Sequence, residues 1–222
     1  MFKRVLITSG PTREPLDPIR FLGNRSSGLT GMNLARVFLK KYAAEVVFVS
    51  GPVCRYPSGV TLVKVETALE MRDAFFKYFS GADVIIMAAA VGDFRPAGSS
   101  QQKIKKAGFP LVMKLERNPD ILKEAGERRT PQQLLVGFAA ETENAVKNGK
   151  RKFLRKNLDL LVINEISAEN PAFGAVRNRV TLLTADRVIP LPRRSKSELA
   201  AAIAIQVANL SIMRKNRGVP RE

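Results

Sequence analysis

Residues 8–35 read TSGPTREPLDPIRFLGNRSSGLTGMNLA, and the rest of the chain is organised around them. The stretch opens at the end of a short apolar strand, Val5-Leu6-Ile7. Gly10 and Pro11 stop that strand, because glycine invites a turn and proline lacks the amide donor that a ladder needs. The stretch closes by entering a helix: Ser26 and Ser27 are expected as hydroxyl caps, with Gly28 and Gly31 ahead of the amphipathic run Met32, Leu34, Ala35, Phe38, Leu39. A glycine-rich turn feeding a helix N-terminus presents free backbone amides and the positive end of the dipole. Gly10, Ser26, Ser27 and Gly28 are therefore candidates for a phosphate-binding loop. An ordinary capped connection is the plainer reading, but Arg13, Arg20, Asn24 and Arg25 exceed what a connection needs, and a long loop in a compact domain is usually functional. Gly28-Leu-Thr-Gly31 lacks the leading G-x-G of a dinucleotide fingerprint, so no nicotinamide cofactor is indicated.

Outward from this stretch the pattern alternates. Residues 45–50 and 60–65 read as strands, and residues 67–79 as a helix with apolar positions at Met71, Ala74, Phe75, Tyr78 and Phe79. The run Val84 to Ala90 is almost unbroken in hydrophobicity, as in a central parallel strand buried on both faces. A strand at 134–139, a helix at about 142–156 and a strand at 159–163 continue the alternation. The fold expected is α/β: a Rossmann-like, doubly wound, mainly parallel sheet with ligands beyond the carboxyl ends of its strands. Residues 179–184 and 187–191 add a C-terminal β-hairpin and 197–213 a closing helix. One domain is expected over residues 1–214, with 215–222 as a frayed tail.

The composition narrows the chemistry. The 222 residues carry 37 Lys and Arg against 20 Asp and Glu, a net charge of +17 that asks for an anionic partner. The basic residues concentrate at 103–106, 150–156 and 193–196 with acids interleaved, which favours local anion sites on a generally basic surface. With one cysteine, Cys54, and no histidine, a disulfide framework and a Cys/His zinc site within one chain are excluded. Cys54 is expected to be buried and inert. Acid, base and electrostatic roles fall to Asp, Glu, Lys, Arg, Asn, hydroxyls or a metal ion. Residues 1–9 read as a strand rather than a signal peptide and no apolar run reaches about 18 residues, so a cytoplasmic protein without a membrane span is expected.

Several strand ends are chemically loaded. Ala88-Ala89-Ala90-Val91-Gly92-Asp93 would let a flat ligand approach the backbone, and Asp93 suits a magnesium ion or a ribose hydroxyl unless it only caps a turn. Phe94 to Gly108 lacks an apolar anchor in its first half, so Lys103, Lys105 and Lys106 are expected on a mobile flap able to close over a polyphosphate. Asn118-Pro119-Asp120-Ile121 places a proline at a helix start behind a cap. Phe138, in GFAAET, offers either a face for a base or a core ring. Lys152 and Lys156 share a helix face at i, i+4 and can reach one anion together.

These segments resemble the phosphopantothenoylcysteine synthetase (phosphopantothenate cysteine ligase) family in its bacterial, CTP-dependent form. The carriers are GPTREPLDPIRFLGNRSSG at 10–28, AAAVGDFRP at 88–96, KIKK at 103–106, NPDI at 118–121, GFAAET at 137–142 and RKNLDLLVIN at 155–164. The resemblance implies ligation of 4′-phosphopantothenate with L-cysteine in coenzyme A biosynthesis, using CTP and Mg²⁺ through an acyl-cytidylate. By the same likeness Asn24 acts in converting that intermediate and Arg20 lies near it. Ala88, Ala89, Ala90, Asp93, Lys103, Asn118, Pro119, Asp120, Ile121, Phe138, Lys152 and Lys156 then bind CTP, with Lys103 on the flap and Lys152 and Lys156 on the triphosphate. A homodimer is implied, as is association with a flavin-dependent phosphopantothenoylcysteine decarboxylase that keeps the flavin outside this chain, which is then a stand-alone ligase or an excised half. Gly23 and Arg25 depart from the family pattern beside Asn24, as do Leu29-Thr30 and Gly92, and these departures bear on substrate affinity.

Two other readings make different predictions. An ATP-using ligase of the same family keeps the chemistry and changes the nucleotide. A basic nucleic-acid-binding α/β domain would show affinity falling steeply with salt, but the aromatics lie in apolar runs rather than among the basic clusters, which argues against it.

Overall fold

Val5 and Ile7 of the first strand pack into one core and Leu6 into another, and all three are fully buried. That is why the strands read as continuous apolar runs rather than as alternation. The structure, a computed structural model, describes residues 2–106, 112–171 and 177–216. Its described residues form a sheet of order β12-β11-β10-β9-β6-β1-β4-β5. Of these, β1 (Arg4–Ser9), β4 (Glu45–Ser50), β5 (Thr61–Lys64), β6 (Val84–Met87), β9 (Leu134–Glu141) and β10 (Leu160–Glu165) are parallel. The hairpin β11 (Arg177–Leu183) and β12 (Val188–Ser195) adds antiparallel strands at one edge. The chain runs outward from β1 through β4 to β5, then returns to β6 on the other side of β1. The doubly wound α/β expectation therefore holds, with its topological switch point between β1 and β6.

Helices α1 (Leu29–Tyr42) and α5 (Lys196–Asn216) cover one face through Leu34, Phe38, Ile203 and Val207. Helices α2 (Ala68–Phe79), α3 (Ile121–Arg128) and α4 (Ala145–Arg155) cover the other through Met71, Phe75, Leu122 and Phe153. Phe38 and Phe75 are wholly excluded from solvent, and burial of such a ring stabilises the fold by roughly 1.5–3 kcal/mol each. Helix α2 starts with a full capping box, Thr67 with Glu70, and the buried Glu14 accepts a further bond from Ala68 N at 3.0 Å. At the amino ends of β9 and β10, Asp159 pairs with both Arg129 and Arg214 and accepts Leu135 N at 2.8 Å. Arg214 also donates to Gln133 O at 2.8 Å, so this cluster ties the end of α5 to the sheet.

Some expectations need correction. Helix α1 begins at Gly28 in the left-handed conformation with no side-chain cap, so Ser26 and Ser27 do not cap it; Ser26 Oγ instead accepts Gly28 N at 3.3 Å. Strand β6 ends at Met87, because Ala88 to Ala90 continue as a loop with only an isolated bridge from Ala90 to Pro11. Helix α4 starts at Ala145, after Asn144 adopts φ 47°. Cys54 is exposed rather than buried, since residues 51–60 form a surface loop. Two small hairpins lie outside the main sheet: β2 (Arg13–Pro15) with β3 (Phe21–Gly23), and β7 (Phe94–Pro96) with β8 (Leu115–Arg117). Helix α5 includes residues 215–216, and the rest of the tail expected to fray, 217–222, lies outside the described residues, as do 107–111 beyond the lysine-rich segment. No described helix is long and apolar enough to cross a membrane.

Candidate active site

At the switch point the segments after β1 and β6 stay joined past the end of the sheet. Ala88 N donates to Thr8 O at 3.1 Å, Ala90 N to Gly10 O at 2.8 Å and Thr12 N to Ala90 O at 3.2 Å. Gly92 N then donates to Thr12 Oγ1 at 2.8 Å. Asn24 reaches this seam from the loop before α1, its Nδ2 donating to Ala90 O at 3.0 Å. Gly10, with φ +71°, makes the turn that Pro11 requires. Ser9 Oγ donates to Gly28 O at 3.0 Å, and a Cβ on Gly31 would stand 2.4 Å from the same oxygen. The first turn of α1 is therefore packed directly on the end of β1, and that turn carries no acidic residue.

On the α2–α3–α4 face of the sheet a cleft of about 430 Å³ opens beyond the carboxyl ends of β6 and β9. Ala89 and Phe138 come from the strand ends and Asp93 from the loop after β6. Asn118, Pro119, Asp120 and Ile121 bring the N-terminus of α3, and Lys152 and Lys156 the C-terminus of α4. Nine of the residues the sequence singled out thus line one cavity. Ala88, Ala90, Asn24, Arg20, Lys103, Gly10, Ser26, Ser27 and Gly28 are outside its wall. Ala88 contributes to the core on the α1–α5 face, while Ala89 packs against the core on the α2–α4 face. Phe138 also lines a smaller cavity of about 70 Å³ on the α1–α5 side, with Thr30, Asn164 and Lys196.

The cleft is basic at one end. Lys156, nearly buried, places Nζ 2.8 Å from Asp120 Oδ1. Burial works to raise the Asp120 carboxyl pKa, but the Lys156 bond, the Lys123 N–H and the neighbouring cations outweigh it, leaving the group below its ordinary value. Lys152 Nζ donates to Phe138 O at 3.1 Å. Desolvation first, and then repulsion from Lys156, lower the Lys152 pKa against the pull of Glu141, Asp120 and Asp93. Two ammonium groups lining one cleft, of which only Lys156 is paired with a carboxylate, are chemically suited to a multiply charged anion. Asp93, exposed at the rim, makes no side-chain hydrogen bond among the described residues, so its oxygens are available to a hard cation. No group of three or more metal-ligating side chains occurs among the described residues.

The α3 cap is Asp120, which accepts Lys123 N at 3.1 Å, rather than Asn118. Asn118 instead donates to Gly92 O at 2.9 Å and accepts from Arg95 Nη1 at 3.2 Å, holding the Asp93 loop against α3. Arg117 lines the cleft and was missed, although it stands directly before NPDI. The first half of the lysine-rich segment is anchored, contrary to expectation, by Pro96, buried in β7, and by Ser100 N, which donates to Leu16 O at 2.9 Å; in the second half Arg20 Nη2 donates to Ile104 O at 2.8 Å. Lys103 itself is exposed.

Fold and site together define a doubly wound α/β protein with a cationic ligand cleft at its topological switch point. The chain belongs to the DNA/pantothenate metabolism flavoprotein C-terminal domain family, which it matches over residues 1–210. The coenzyme A biosynthesis bifunctional protein CoaBC of Bacillus subtilis (strain 168) is 40% identical over 212 residues, covering 94% of this chain and 52% of that protein. A cysteine/cysteine sulfinic acid decarboxylase from an unknown prokaryotic organism is 39% identical over 211 residues, covering 94% of this chain and 58% of that protein. The chain thus spans about half the length of these curated relatives. The crystal structure of the C-terminal domain of a CoaBC protein superposes with a TM-score of 0.80 at 39% identity, with 96% of each chain covered.

Proposed function

We propose that this chain is the phosphopantothenate–cysteine ligase of coenzyme A biosynthesis, using CTP to activate the carboxylate of 4′-phosphopantothenate as an acyl-cytidylate that cysteine then converts to the amide. The observation that carries this reading is the convergence of Lys152, Lys156, Asp120 and Asp93 in one cleft beside the small residues that follow β6. Lys152 and Lys156 would hold the triphosphate, Ala89 and Phe138 would border the nucleoside, and Asn24 at the seam would polarise the acyl carbonyl when the amine attacks. Mg²⁺ at Asp93 would neutralise phosphate charge. Chemistry of this kind needs positioning and charge neutralisation more than covalent help, so the absence of histidine is no obstacle.

The exposed apolar side chains Ile19, Phe21, Leu22, Phe94 and Leu115 all lie on or beside the two small hairpins and support a homodimer joined there. Membership of a flavoprotein C-terminal domain family supports association with a flavin-dependent decarboxylase.

The test mixes protein, 4′-phosphopantothenate, Mg²⁺ and either CTP or ATP without cysteine, and follows pyrophosphate and the mass of any acyl-nucleotide. An acyl-cytidylate with CTP alone is expected. Activity with ATP alone would replace the nucleotide, and silence from folded protein with both would overturn the ligase reading.

A further inference from the structure

Asp17 has no exposed side-chain surface, yet it belongs to an otherwise open loop. Its Oδ1 accepts Ile19 N and Arg20 N, each at 2.9 Å, and its Oδ2 accepts Arg20 Nε at 3.0 Å and pairs with Arg20 Nη2. That much would only tighten a turn. But Oδ2 also accepts Ile104 N at 3.2 Å, while Arg20 Nη2 donates to Ile104 O at 2.8 Å. The ion pair therefore grips both backbone polar groups of one residue, 84 positions away from Arg20 in sequence, much as a neighbouring strand would. Ser100 N on Leu16 O adds a second tie between the same two segments. Ile104 directly follows Lys103, so whatever fixes the one peptide fixes the start of the other's side chain.

Resting on the ligase reading above, we propose that Asp17 is a positioning residue: through Arg20 it latches residues 100–104 onto the turn between β2 and β3, which leads into Asn24, and so sets where Lys103 stands relative to the cleft. A charged lysine on a free segment would contribute little, since the entropy of ordering it would fall on each binding event. The latch orders the segment beforehand. It also gives Arg20 a defined role outside the cleft wall.

The experiment compares Asp17→Asn with Lys103→Gln and the double variant, measuring pyrophosphate release, the nucleotide KM and amide hydrogen exchange of residues 99–106. Asp17→Asn is expected to speed exchange of this segment with protection of β1 and β6 unchanged, and to slow pyrophosphate release roughly tenfold or more, in line with loss of charge-assisted bonds. The double variant is expected to be no worse than Lys103→Gln alone, within about twofold, because both changes remove one function. A merely structural Asp17 would instead move the melting temperature and give losses that multiply. Ile104→Pro removes the Ile104 N–H from the other end of the same bond and is expected to reproduce the exchange change should Asp17→Asn not fold. Unchanged exchange at 100–104 in either folded variant, or multiplying losses, overturns the proposal. If the wild-type protein makes no acyl-nucleotide, the ligase reading falls and hydrogen exchange, which needs no substrate, decides the latch by itself.

Discussion

Lys156 Nζ and Asp120 Oδ1 stand 2.8 Å apart, joining the last residue of the α4 turn to the N-cap of α3 across the end of the cleft. One bond thus links a cation lining the cleft to the carboxylate that starts a helix. Lys156→Met is expected to raise the nucleotide KM about tenfold to a hundredfold, the range for a lost charge-assisted bond of about 1.5–3 kcal/mol. Isothermal titration with nucleotide checks it; an unchanged affinity would remove Lys156 from the anion seat.

The lowered pKa of Lys152 makes opposite predictions for folding and for binding. Its folded value lies below the unfolded one, so between the two the unfolded chain holds more protons and stability rises with pH. A triphosphate prefers the ammonium, so affinity falls as pH rises through the same window, which begins below the ordinary lysine value. Thermal melts and titrations from pH 7 to about 10 should show both slopes, and Lys152→Met should flatten both.

Gly31 is fixed by contact rather than by backbone conformation. A Cβ there would meet Ser9 Oγ at 2.4 Å and Ser9 Cβ at 2.6 Å. Gly31→Ala is expected to lower stability by about 1–3 kcal/mol through overpacking. Ser9→Gly in the same chain should recover part of the loss, read from urea midpoints.

At the opposite end of the sheet, Asp159→Ala would leave Arg129 and Arg214 facing each other without their anion. A loss of about 3–5 kcal/mol is expected for stranding buried charge. Arg214→Met keeps the Arg129 pair and should cost clearly less. Chemical denaturation distinguishes the two, and hydrogen exchange should show the end of α5 opening first in Arg214→Met.

The parts legible in sequence were those written in local pattern. The strand at 45–50 was read with the bounds that the structure gives it, because its flanking turn and both buried faces are local. The antiparallel hairpin near the C-terminus was equally plain from its Ala185-Asp186 turn. What escaped depends on distant partners. Strand β7 holds three residues and pairs with β8 about twenty positions later, so neither has a period to detect. Asp17 looks like a turn residue until Ile104 arrives beside it. Asn118 looked like a helix cap because Pro119 follows it, but its amide satisfies Gly92 O and leaves capping to Asp120. Cys54 was expected inside on general preference, and its exposed loop overrode that preference. The site was legible as a set of motifs, whereas the division between cleft wall and seam needed the alternation of Ala88 and Ala89 across the sheet.

The Ala90 carbonyl receives both Thr12 N and the Asn24 side-chain amide, and a carbonyl oxygen has two lone pairs. It is a saturated acceptor. The Asn24 amide keeps a second N–H that can serve a ligand without breaking its bond to Ala90 O, whereas a ligand donor aimed at Ala90 O must displace Thr12 N or Asn24. A ligand donor at this carbonyl would therefore exchange one partner for another, and a displaced N–H left without a new acceptor would cost about 1 kcal/mol or more.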